Sequence, residues 1–118
     1  MPDDISLGKI LLIVRRLAAL TQTRQIAWKE TGQNDVFVHP AASASVVVGS
    51  RDGDGDLPMF VRILDEDGDL VDELSTENTE HAEWFDELRR LHVLAKRSAT
   101  DADRVLDALL AELPDVQP

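Results

Sequence analysis

HAEWFDELRRLHVLAKR, residues 81–97, decides how the rest of the chain is read. Trp84, Leu88, Leu91 and Ala95 recur at helical spacing, and Phe85, His92 and Leu94 widen the stripe. The spacing predicts a helix over His81–Arg97. It holds one of the chain's two tryptophans and one of its three phenylalanines, which suits a slab laid across a sheet. Glu83, Asp86 and Glu87 fall in its first half and Arg89, Arg90, Lys96 and Arg97 in its second. That order suits the helix dipole at both ends.

Ahead of this helix the hydrophobic period is two. Ile26 and Trp28 alternate with Gln25, Ala27 and Lys29, predicting a strand that ends at Thr31-Gly32. After the turn residues Gly32–Asp35 come strands at Val36–His39, closed by Pro40, and at Ser43–Ser50. A loop at Arg51–Asp56 leads to Met59–Leu64, and Asp65-Glu66-Asp67-Gly68 turns into Leu70–Leu74, with Leu70, Asp72 and Leu74 on one face. Short strands joined by short turns imply an antiparallel meander. At the front, Ile5–Leu20 reads as a helix that Asp4 or Ser6 caps, with Leu7, Ile10, Leu11, Ile13, Val14, Leu17 and Leu20 as its apolar face and Lys9, Arg15 and Arg16 wet. At the back, Thr100 or Asp101 caps Ala102–Leu113, where Val105, Leu106, Leu109, Leu110 and Leu113 recur before Pro114. The predicted order is α-β-β-β-β-β-α-α: an α+β two-layer sandwich in which helices cover a five-stranded antiparallel meander. The 118 residues make a single domain, with an ordered core over about residues 5–113.

Composition narrows the function classes. The absence of cysteine excludes disulfides, thiolate zinc sites and a cysteine nucleophile. Arg15 and Arg16 cut off the apolar run Ile10–Val14, so neither a membrane span nor a signal peptide is expected, and a cytoplasmic location is. The net charge of −11 is uneven. Residues 51–87 hold fourteen acids against two arginines, a net of −12, and the rest of the chain, nine acids against ten bases, is +1. Direct binding to nucleic acid through a broad basic face is therefore not expected.

No constellation with catalytic or ligand-binding spacing emerges. Asp52, Asp54 and Asp56 match the opening of a calcium loop, as do Asp65, Asp67 and Asp69. The glycine such loops need at the sixth position is Leu57 or Leu70, and the glutamate at the twelfth is Ile63 or Thr76. Asp-Gly pairs also serve ordinary hairpin turns. His39, His81 and His92 are too scattered to share a metal, and His92 beside an apolar stripe suits a half-buried structural role. No phosphate loop or nucleophile elbow is present, so neither an enzyme nor a cofactor is expected.

The leucine-rich first helix, Ile26–Thr31 with Val36–Val38, Ile63–Gly68, and Trp84-Phe85 leading to Leu88, Leu91 and Ala95–Arg97 together resemble a family of small uncharacterised bacterial α+β domains. The likeness implies an accessory or adaptor role and carries no active site. By class alone the chain is also similar to the acidic dimeric chaperones of bacterial secretion systems, although those place a helix within the strand series. The expectation is a non-enzymatic protein-interaction or adaptor module that binds a protein partner or itself, as a homodimer through the first helix or an exposed sheet edge. Its candidate contact residues are Leu11, Val14, Leu17, Trp84, Leu88 and Leu91. The alternatives are an acidic nucleic-acid mimic that occupies a DNA-binding protein through Asp52–Glu87, and a weak calcium-binding domain.

Overall fold

The computed structural model describes residues 4–53, 58–77 and 82–115. The elements are helix α1 (Asp4–Gln22), strands β1 (Lys29–Glu30), β2 (Val36–Pro40), β3 (Ser45–Ser50), β4 (Met59–Leu64) and β5 (Leu70–Ser75), then helices α2 (Ala82–Ala99) and α3 (Ala102–Glu112). The five strands form one antiparallel sheet in the order β1-β2-β3-β4-β5, the expected meander. His81 and Asp54–Leu57 lie outside the described residues.

α1 ends in a six-residue reversal. Gln25 N–H donates to Leu20 O at 2.9 Å and Arg24 N–H to Thr21 O at 3.0 Å. Arg24 takes φ 61° to close it, the left-handed position that glycine usually fills. The strand predicted through Ile26 and Trp28 consequently shrinks to Lys29–Glu30. Upstream of Lys29 the backbone bonds to side chains instead of to the backbone of β2. Trp28 N–H donates to Ser98 Oγ on α2 at 2.9 Å, and Ala27 O accepts from His39 Nδ1 at 2.9 Å. The Trp28 indole is buried, and its Nε1–H donates to Thr21 Oγ1 on α1 at 2.9 Å. The Thr21 hydroxyl in turn donates a hydrogen bond to Leu17 O at 2.6 Å.

The two faces of the sheet follow the strand period. Phe37, Val46, Val48, Val61 and Leu74 point into a core closed by Leu7, Ile10, Val14 and Ala18 of α1 and Leu88, Leu91 and Ala95 of α2. α2 packs across β1, β2, β3 and β4 and along α1. Ile13, expected in the apolar face of α1, instead lies on its outer side, and Ala18 and Thr21 take the inward positions. On the far face of the sheet, Phe60 lies against Gly49. A Cβ at Gly49 would stand 2.7 Å from the Phe60 ring and 2.9 Å from Val36, so only glycine fits. The Arg62 guanidinium sits 4.1 Å above the same ring.

β5 departs from its predicted phase. Leu74 faces Val61 and Asp72 faces Ile63, but Leu70 faces Leu64, because the register shifts between Ile63 and Leu64. That bulge admits Val71 as an extra residue and turns Leu70 away from the face of Leu74. The turn before it is a type I turn with Gly68 at φ 86°: Gly68 N–H donates to Asp65 O at 3.0 Å and Asp65 N–H to Asp69 O at 2.9 Å.

α2 also pins the β1–β2 turn. His92, buried and 5.6 Å from the Phe37 ring, donates from Nε2 to Asp35 O at 3.0 Å. One turn on, Lys96 Nζ reaches Asp35 Oδ1 at 2.9 Å. Asp35 itself has φ 56°, a conformation that aspartate tolerates better than most residues.

Replacing Thr21 by Val keeps the volume and strands the buried indole N–H. It is expected to lower unfolding stability by about 1–3 kcal/mol in urea titration, with a shift in Trp28 fluorescence. An unchanged midpoint would mean that water satisfies the indole. Gly49→Ala is expected to displace Phe60 and cost about 1–3 kcal/mol in the same titration.

Candidate functional site

After Ala99 the chain has two residues in which to change direction. Thr100 N–H still bonds Lys96 O at 3.0 Å, and Asp101 N–H bonds Ser98 O at 3.2 Å. Asp101 then takes φ 54°, which breaks the helix and redirects it, and Val105 N–H donates to Asp101 O at 3.0 Å to start α3. Asp101 thus stands at the N-cap position as expected, but its side chain makes no cap bond. It meets Arg104 Nε at 3.3 Å instead. Leu113 is extended and Pro114 follows, ending the helix.

α3 is amphipathic, yet its apolar face touches almost nothing. Val105, Leu106, Leu109, Leu110 and Leu113 are 48–69% exposed, and every described α3 side chain after Ala102 is exposed. Leu106, Leu109, Leu110 and Leu113 fall at i, i+3, i+4 and i+7, one continuous stripe. The root of α3 stands beside the end of α1: Arg104, Asp107 and Ala108 line a groove together with Thr21, Gln22 and Arg24.

The contact residues expected from the sequence are placed differently. Val14, Leu88 and Leu91 are fully buried in the chain's own core, so in this fold they have no surface to offer. Leu17 and Trp84 pack against that core, and Leu11 is half-buried. The apolar surface of α1 is Leu12 and Ile13 instead, with Lys9, Arg15 and Arg16 exposed around them. Sequence reasoning assigned α3 to the cover of the sheet, because a stripe that seals a core and one that meets a partner have the same period. Width carries the missing signal. Five strands span about 20 Å, and two helices side by side span about 20 Å, so a third helix finds no sheet left to cover.

The other candidate residues also make contacts within the fold. Asp65, Asp67 and Asp69 bring their carboxylates within 4.8 Å of one another. One Asp65 oxygen already accepts the backbone N–H of Asp67 at 2.9 Å and of Asp69 at 3.0 Å, which is turn chemistry. Of the Asp52, Asp54 and Asp56 loop, only Asp52 is among the described residues. His39 and His92 each spend a ring nitrogen on a backbone carbonyl. The sheet edges are a two-residue β1 and a bulged β5. No described helix is long and apolar enough to cross a membrane.

No family model, curated protein or solved structure matches the chain.

Exposed and buried leucines of similar periodicity should separate in stability. Leu109→Gln and Leu110→Gln are expected to leave the unfolding free energy of the dilute chain within about 0.5 kcal/mol, whereas Leu91→Ala costs about 2–5 kcal/mol. A large loss from either α3 change would show that the helix packs on its own body.

Proposed function

We propose that the chain is a protein-interaction module whose docking element is α3. The observation that carries this reading is the stripe of Leu106, Leu109, Leu110 and Leu113, at the spacing by which amphipathic helices lie in apolar grooves, held away from the body that would otherwise bury it. Five large aliphatic side chains, each about half exposed, amount to on the order of 500 Å² of contiguous apolar surface, which on a folded chain marks an interaction site. Cohesion of the body does not depend on α3, since the core is closed by α1, α2 and the sheet. The helix is therefore available for binding without unfolding anything.

A photo-crosslinking amino acid at position 110, introduced into the full chain in its own cells, tests the reading. Covalent adducts to a protein, whether a second copy or another chain, are expected from position 110. Far fewer are expected from position 111 on the opposite side of the same helix. No adduct at 110, or equal yields at both positions, would overturn it.

A further inference from the structure

We infer that α2 and α3 are two halves of one switchable helix: the chain passes between the broken form and a continuous helix over residues 82–112, with Asp101 as the switch.

The apolar phase of α2 runs on into α3. Leu91, Ala95, Ser98, Ala102, Val105 and Leu109 stand 4, 3, 4, 3 and 4 residues apart. That is five steps in eighteen residues, the period of about 3.6 that belongs to an unbroken helix. Along α2 this line points inward: Leu91 and Ala95 are buried, and Ser98 Oγ accepts the Trp28 N–H. Along α3 it becomes the exposed stripe. Helices that meet at an ordinary corner owe each other no common phase, because each buries a side of its own. Here only α2 buries one.

The link between them is reversible in its bonding. Asp101 N–H reaches Ser98 O, three residues back, at 3.2 Å, and α3 begins with Val105 N–H on Asp101 O at 3.0 Å. The amides of residues 102–104 therefore precede the first helical bond of α3, and the Asp101 side chain gives them no cap. Returning Asp101 from φ 54° to the right-handed region seats the amides of residues 101–104 on the carbonyls of residues 97–100, four consecutive helical bonds. Little holds the broken form against that gain. The Asp101–Arg104 pair at 3.3 Å is exposed, and a continuous helix keeps it at i, i+3. The bond from Thr100 Oγ1 to Lys96 O at 2.7 Å is one that a helix also permits. What favours the break is the low helix propensity of Thr100 and Asp101, together with the groove that Arg104, Asp107 and Ala108 share with the end of α1. Aspartate serves both forms. It enters the left-handed region more readily than most side chains, whereas glycine favours the break and alanine the helix.

The two forms present α3 differently. Broken, α3 makes one wall of a groove of about 820 Å³ with Thr21, Gln22 and Arg97. Continuous, it leaves that groove, and its stripe falls in line with the side of α2 that faces the sheet. A partner that grips the stripe in one of these directions draws the population to that form.

The test is a distance between spin labels in the full chain, which has no cysteine of its own to interfere. Asp86→Cys and Ala111→Cys place labels at two exposed positions. They are 25 residues apart, about seven turns, so a continuous helix holds them on one side at about 38 Å, and the broken form brings them closer. Dipolar spectroscopy of the dilute chain is expected to give two distances, the shorter one dominant. Asp101→Ala in the labelled chain should raise the long-distance fraction about twofold or more, and Asp101→Gly should remove it. A single distance in the chain with Asp101 intact overturns the inference, whichever distance it is. So do equal distributions in the alanine and glycine variants. The distances are read without a partner, so either result leaves the docking role of α3 to the crosslink at position 110.

Discussion

The fold hangs on the two N–H groups of Trp28. The indole donates to Thr21 on α1 and the backbone amide donates to Ser98 on α2, so one residue ahead of the first strand ties both covering helices to the sheet. The arrangement is costly to disturb, because a buried donor that loses its partner keeps the whole penalty of leaving water. It also explains why the first strand is so short. A backbone that spends its donors on helix side chains has none for a ladder, and pairing with β2 begins at Lys29.

A second tie runs the opposite way, from α2 back to the sheet. His92 holds the carbonyl of Asp35 while Lys96 holds its carboxylate, and between them they fix the turn that positions β2. Arg24, Asp35 and Asp101 all adopt positive φ, and each stands where the chain leaves one element for another. Arg24 closes α1, Asp35 opens β2, and Asp101 separates α2 from α3. Non-glycine residues accept this conformation at a cost on the order of 1–2 kcal/mol, which packing and hydrogen bonds on either side must offset. At Asp35 the offset is visible in His92 and Lys96. At Arg24 it is the pair of reversal bonds that cap α1.

Much of this was legible in the residues. The meander follows from Val46–Val48, Met59–Leu64 and their turn glycines, and the covering helix from Leu88, Leu91 and Ala95. What escaped was decided by contacts between distant segments. The strand through Ile26 has the correct alternation, but Ser98 and His39 take its bonds, and neither is a local neighbour. The bulge at Val71 reverses Leu70 without any glycine or proline to announce it. On α1, a wide apolar face does not say which flank stays outside, so the sequence alone does not separate exposed Ile13 from buried Val14. α3 is the instructive case. Its periodicity predicts the helix but not its destination, because a period states that one face is apolar without saying what lies against it.

The separation of α3 from the body has a consequence for how such a chain changes over generations. Residues such as Leu91 or Val61 are constrained by every neighbour they touch, and substitution there is filtered by folding itself. Leu106, Leu109 and Leu110 touch little within their own chain, so substitutions at these positions escape that filter. The surface that α3 presents can therefore drift on a scaffold that does not register the change.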